Sequence, residues 1–287
     1  MLKQRVISAI ILIAIVCAAL FLFSPFYFAL ALGAVASLGI WEWTQFAQVK
    51  NKFWRIVVAG LAGAVLFLWI LSEANYLNAG RVFEHYAEPI LLSAVIWWIV
   101  ALGFVVSYPN SAKLWAKSVI LQGVFAIVTL VPFIVAVLRL RLDGYVANPY
   151  HGLMLLFYVF ILVWAADSGA YFAGRKFGKH KLAPKVSPGK TWQGVFGGLI
   201  TAGVLAGIFM QVAPQDLFNV PTAPFITLSV ATVAISVLGD LTESMFKRES
   251  GIKDSSNLIP GHGGILDRID SLTAAVPFFA YFYFYVL

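Results

Sequence analysis

The 27 residues from Ser244 to Asp270, SMFKRESGIKDSSNLIPGHGGILDRID, concentrate ionisable side chains in a chain that is otherwise apolar. They hold two Lys, two Arg, four Asp or Glu and His262, whereas the chain as a whole is 61% hydrophobic and 11% charged. Charge beside a bilayer is costly unless something uses it. Three groups of polar residues enter the apolar runs. Asp167, followed by Ser168 and Gly169, stands four residues before Tyr171, which puts the two on one helix face. Asp240, Glu243, Ser244 and Lys247 fall at offsets 0, 3, 4 and 7, a single helical stripe. Asp267 and Asp270 lie where the last apolar run begins, and a helix N-terminus favours carboxylates there. Acids gathered at one depth need cations, and several carboxylates around a gap form the oxygen-rich shell that Mg²⁺ prefers.

The loops supply the complementary charge. Residues 174–190, GRKFGKHKLAPKVSPGK, interleave six basic side chains with glycine and proline, a composition suited to a polyphosphate. Ser187 to Thr191 then lead into a helix, whose first N–H groups bind phosphate, and Lys190 adds charge. The GKT triplet lacks the upstream glycine and the strand of a P-loop, so that motif is excluded. In the second loop, glycines flanking His262 allow close backbone approach. His262 can contact a phosphate oxygen, move a proton or hold the turn. Glu42, between Trp41 and Trp43, reads as an interfacial anchor in an aromatic belt. Metal-binding acids, two cationic phosphate loops and a membrane interface describe phosphoryl or nucleotidyl transfer to a lipid. In such reactions the protein mainly positions groups and neutralises charge.

The elements that must position these residues are membrane helices. Mean hydropathy is +0.88, and a bilayer crossing takes roughly 20 apolar residues. Nine spans are expected, at 6–23, 26–47, 54–72, 89–107, 118–138, 152–173, 192–212, 224–246 and 270–287. The runs are continuous rather than alternating, which excludes a membrane β-barrel. The expected fold is therefore an all-α polytopic integral membrane protein, one domain over 1–287. Residues 1–150 supply N-terminal spans, and 151–287 form a catalytic half with cytosolic loops 174–191 and 247–269. With the N-terminus in the cytosol, 17 Lys and Arg fall on the cytosolic side and 3 opposite, a positive-inside distribution. The net charge of +7 is thus topological and calls for no nucleic acid. Cys17 is the single cysteine, so no intrachain disulfide or cysteine metal site exists. An ion-coupled transporter would place its ionisable groups at the midplane, but these gather at one face.

From Ser244 to Asp270 the chain resembles, position by position, the signature of phosphatidate cytidylyltransferases (CDP-diacylglycerol synthases). That signature reads S-x-x-K-R-x4-K-D, then P/G-x-H-G-G-x-x-D-R-x-D. Here it is carried by Ser244, Lys247, Arg248, Lys253, Asp254, Pro260, His262, Gly263, Gly264, Asp267, Arg268 and Asp270. The stretches ADSGAY at 166–171, GKHKLAPKVSPGKTWQG at 178–194 and SVLGDLTESMFKR at 236–248 also resemble bacterial members. The resemblance implies that phosphatidic acid and CTP give CDP-diacylglycerol and pyrophosphate with Mg²⁺, beside a second cation such as K⁺. It implies a homodimer in the bacterial cytoplasmic (inner) membrane, multi-pass, with its active site facing the cytosol. By that resemblance Asp240, Asp267 and Asp270 ligate metal. Lys247, Arg248 and Arg268 stabilise the phosphates and the leaving pyrophosphate, and His262 or a carboxylate accepts a residual proton. Ser187, Lys190 and Thr191 are expected to hold nucleotide phosphates. Lys185, Ser244, Lys253, Asp254, Gly263 and Gly264 complete the substrate-binding set, with Asp167 positioning. The attacking lipid phosphate is already largely ionised, its second pKa lying near 6.

Overall fold

A computed structural model describes residues 2–83, 85–213 and 220–287. Helices make up most of it: α1 (Leu2–Leu22), α2 (Pro25–Phe46), α3 (Lys52–Ser72), α4 (Ala74–Asn78), α5 (Ala87–Ser107), α6 (Ala112–Trp115), α7 (Val119–Arg141), α8 (His151–Phe177), α9 (Trp192–Val212), α10 (Thr222–Glu249) and α11 (Leu266–Tyr285). An apolar run in lipid must satisfy its backbone internally, which a helix does and an open strand cannot. Local chemistry sets the ends. Pro25 occupies the first turn of α2, the Asn51 side chain accepts from Phe53 N at 2.9 Å to cap α3, and Ser118 accepts from Leu121 N at 3.2 Å to cap α7.

Each of the nine expected spans falls on one long helix. Seven of these helices are long and apolar enough to cross a membrane: α2, α3, α5, α7, α8, α9 and α10. The chain is an all-α polytopic membrane protein. α1 and α11 stand outside the seven, because the described apolar part of α1 is only Ile10–Leu22 and α11 opens on charged residues. α11 is instead packed inside the bundle, with Ala274, Ala275, Val276, Phe279 and Ala280 wholly buried against α5, α7, α8 and α10.

The loop boundaries need correction. α8 continues to Phe177 and α10 to Glu249, so Arg175, Lys176, Lys247 and Arg248 are helical, and α11 begins at Leu266. Lysine and arginine are good helix formers and favour a helix C-terminus, so the helices run on past their apolar segments. The loops proper are 178–191 and 250–265. The first is a small hairpin, not an irregular loop: β1 (Lys181–Ala183) pairs antiparallel with β2 (Ser187–Thr191), Lys181 opposite Thr191 and Ala183 opposite Ser187. Part of the expected 213–223 loop, 214–219, lies outside the described residues, as does Glu84.

Two close helix approaches set the frame. On α8 and α9, a Cβ added at Gly169 would collide with Thr201, and one at Gly197 with Ala173. Small residues let these two backbones touch. On α10, a Cβ at Gly239 would stand 2.5 Å from the carbonyl oxygen of Asp270 on α11. The residue after Gly239 is Asp240, so this contact brings two of the site carboxylates to the same level.

Candidate functional site

The site begins with the stripe on α10. Asp240 accepts from the Ser244 hydroxyl at 3.2 Å, and Glu243 pairs with Lys247 at 3.1 Å, both one helical turn apart. Lys247 also reaches Asp267 Oδ1 on α11 at 2.7 Å, bridging the two helices. From the hairpin, Lys190 meets Asp240 Oδ2 at 2.6 Å. The hairpin is itself clamped. Arg248 Nε donates to Val186 O at 3.2 Å, and Gln193 accepts from the backbone N–H groups of Lys179 and His180 at 3.1 and 3.2 Å. Asp167 on α8 lies within electrostatic reach of Lys190 and Asp240, and Asp270 within reach of Asp240, Lys247 and Lys190.

The 250–265 loop is held by two buried carboxylates. Asp267 Oδ2 accepts from Ser255 N at 2.8 Å, Ser255 Oγ at 2.9 Å and Gly264 N at 2.8 Å. Glu42, 0% exposed, accepts from Ser255 Oγ at 3.0 Å, Ser256 Oγ at 2.6 Å, Ile265 N at 2.9 Å and Leu266 N at 2.8 Å. Two of those donors are orphan N–H groups at the start of α11, so Glu42 caps that helix from a distant part of the chain. The expected role of Glu42 as an interfacial anchor is thereby corrected: it is buried and fastens the loop. Gly263 and Gly264 serve this packing. Gly263 has φ +82° and a Cβ there would press on Asp267 Oδ2; one at Gly264 would collide with Ser255 Oγ and the Glu42 carboxylate. The tight turn closes with Ile259 N donating to Gly263 O at 2.9 Å and His262 N to Ile259 O at 2.9 Å.

The structure therefore brings together Asp167, Lys190, Asp240, Ser244, Lys247, Asp267 and Asp270, and adds Glu243. Thr191 is a helix cap, its hydroxyl accepting from Gly194 N at 3.2 Å. Arg248 spends its Nε on the hairpin. Lys185, Lys253, Asp254 and Arg268 are exposed, and Ser187 is half-buried on β2. His262 has a buried Nδ1 with no hydrogen-bond partner. Reasoning from sequence missed Glu42 and Ser255. A lone carboxylate inside an apolar run was the available signal for the first; nothing marked the second.

The cluster offers only oxygen to a metal, and its acids outnumber its ammonium groups, which suits a hard divalent cation. Among the described residues no three such side chains stand together as a ready metal-ligand group. Both oxygens of Asp267 are already engaged, Oδ1 by Lys247 and Oδ2 by the backbone N–H groups of Ser255 and Gly264 and by the Ser255 hydroxyl that it shares with Glu42. Asp270 is less committed: one of its oxygens accepts from Ser271 N at 2.7 Å. Asp240 is held by Lys190 and Ser244. Of the three expected metal ligands, Asp240 and Asp270 could hold a cation here without breaking bonds of the loop.

Fold and site together define a polytopic membrane protein that gathers lysines and carboxylates at one end of a helical bundle. A model of the cytidylyltransferase family matches residues 3–286. A Haemophilus influenzae phosphatidate cytidylyltransferase is 68% identical over the full length of both chains. One from Pseudomonas aeruginosa is 44% identical over 98% of this chain and 96% of its own, and one from Bacillus subtilis 34% over 96% and 95%. The chain belongs to the cytidylyltransferase family.

Proposed function

We propose that the chain transfers a cytidylyl group from CTP to phosphatidic acid, giving CDP-diacylglycerol and pyrophosphate for phospholipid synthesis. The observation that carries this reading is the pairing of Lys190 with Asp240 and of Lys247 with Asp267 and Glu243. Each ammonium is held by a carboxylate that a phosphate oxygen can replace. An arriving triphosphate takes Lys190 from Asp240 and frees that carboxylate. Asp240 and Asp270 would hold Mg²⁺, beside a candidate second cation such as K⁺, and the metal would supply charge neutralisation to the phosphates. The protein's own part is alignment. Lys247 on α10, fixed by Glu243 and Asp267, and the exposed Arg268 on α11 contact the phosphates, and in-line attack expels pyrophosphate. The lipid phosphate arrives largely ionised, so His262, with its unpartnered Nδ1, need take only a residual proton.

The concentration of Lys and Arg on the expected cytosolic side supports a multi-pass protein of the cytoplasmic (inner) membrane with this site facing the cytosol, where CTP is. α3 and α9, the least buried of the spanning helices, offer surface to lipid or to the second copy of a homodimer. The test is product analysis with purified protein in detergent, labelled CTP, phosphatidic acid and Mg²⁺. Pyrophosphate and CDP-diacylglycerol appear in equal amounts. Release of CDP with a newly phosphorylated lipid would instead identify a lipid kinase and overturn this reading.

A further inference from the structure

Two cavities meet at the 250–265 loop. The first is a cleft of about 720 Å³ between the start of α3, the end of α2 and the loop, within the size range of small-ligand sites. Lys52, Arg55 and Lys253 line it against one carboxylate, Asp254. Lys52 and Lys253 make no ion pair among the described residues. Arg55 is oriented, its guanidinium 4.5 Å above the Trp41 ring with Nε donating to Thr44 Oγ1 at 2.9 Å. A guanidinium carries five N–H donors, so several remain for a ligand.

The second cavity, about 430 Å³, is apolar and lies between α1 and the loop. Ile7, Ile11 and Ile15 form one wall, Leu258 to Pro260 the other. Leu258 lines both cavities, so the two abut. Ser8 Oγ donates to Pro260 O at 2.7 Å and ties α1 to the loop at this junction. Ile7 to Ile15 extends roughly 12 Å along the helix axis at 1.5 Å per residue. A cationic chamber opening onto an apolar groove is amphipathic in the same sense as a single phospholipid.

We propose that cleft and groove together bind one anionic phospholipid, its phosphate among Lys52, Arg55 and Lys253 and an acyl chain along α1. The excess of positive charge favours a phosphomonoester, which carries close to two negative charges, over a zwitterionic headgroup. The proposal rests on the reading that a lipid phosphate is the substrate. It adds a docking site that the lipid occupies before its phosphate reaches the acid cluster, and assigns α1 a binding role. Ser255 follows Asp254 of the cleft wall and bonds Asp267 of the acid cluster, so one thickness of loop separates the bound phosphate from the reacting centre.

The test uses the full chain in nanodiscs of neutral lipid, without CTP, and a phosphatidic acid bearing a photoactivatable acyl chain. Cross-links map to residues 7–15 and 258–260. Excess unlabelled phosphatidic acid removes them, while phosphatidylcholine, glycerol 3-phosphate and inorganic phosphate do not. Lys52→Gln with Lys253→Gln lowers cross-linking about tenfold, the effect of losing two charge-assisted contacts to phosphate. Ile11→Trp, which fills the groove without touching a charge, lowers it independently. Cross-links elsewhere, or equal competition by phosphatidylcholine, would overturn the proposal, as would indifference to both the charge and the groove variants. Competition by inorganic phosphate alone would show a headgroup site without a chain site and also overturn it. Pyrophosphate release in the same preparation is a separate readout: turnover without these cross-links refutes only the lipid site, and cross-links without turnover refute only the transferase reading.

Discussion

Glu42→Gln isolates what the buried carboxylate does. Each of its oxygens takes one hydroxyl and one backbone N–H: Oε1 accepts from Ser256 Oγ and Ile265 N, Oε2 from Ser255 Oγ and Leu266 N. A glutamine fits the same volume. Whichever way its amide turns, the NH₂ faces one hydroxyl and one backbone N–H. The hydroxyl can rotate to accept; the N–H cannot. One buried backbone donor at the start of α11 is left unsatisfied, at a cost of about 1–3 kcal/mol, and the remaining bonds lose their charge-assisted strength. Hydrogen exchange in detergent reads this directly. The amides of Ile265 and Leu266 exchange about 5- to 150-fold faster, the range that such an energy implies, while amides in the middle of α7 keep their protection. Turnover falls in parallel, because Ser255, which Glu42 holds, also bonds Asp267. Glu42→Ala abolishes all four bonds and is the more severe variant. Wild-type exchange and wild-type turnover in Glu42→Gln would refute the account, leaving Glu42 as a space-filling residue.

Other outcomes follow from neighbouring contacts. Gly264→Ala drives a methyl into Ser255 and Glu42, and overpacking of this kind costs about 1–3 kcal/mol; thermal unfolding in detergent shifts downward, and an unchanged midpoint would contradict the packing. Lys190→Gln raises KM for CTP more than it lowers kcat, and a double-mutant cycle with Asp240→Asn on kcat/KM is non-additive by about 0.5–3 kcal/mol; strict additivity would separate the two residues functionally. Removal of divalent cations with a chelator stops turnover and added Mg²⁺ restores it, and Asp240→Asn raises the Mg²⁺ needed for half-maximal rate; activity that persists in the chelator would exclude the metal. Gly239→Ala pushes α10 from α11 beside Asp270 and lowers kcat, whereas Gly207→Ala on α9, where nothing lies within 4 Å, leaves it unchanged.

The helices were legible because each apolar run is continuous, and in lipid that leaves the backbone a single solution. The α10 stripe was legible for the same geometric reason: offsets of three and four residues survive into the structure as the Asp240–Ser244 and Glu243–Lys247 contacts. The hairpin was not. Its strands are three and five residues long, and β2 contains Pro188 and Gly189, which depress any strand signal. The ends of α8 and α10 were placed too early because the charges that mark the membrane edge also propagate a helix. Glu42 was read from its immediate neighbours, two tryptophans, but its bonding partners lie more than 200 residues away. Contacts at that separation leave no local pattern. Asp267 shows the same limit from the other direction: its place in a motif marks it as important, while only the fold shows the donors gathered around it.

Ser255 has one hydroxyl hydrogen and two carboxylates to give it to, Glu42 Oε2 at 3.0 Å and Asp267 Oδ2 at 2.9 Å. It can satisfy only one at a time. The loop thus contains a two-position rotor whose settings differ by a hydrogen and by no heavy atom. In one setting the lost bond falls on the α2 side, where the cleft opens; in the other it falls on the acid cluster.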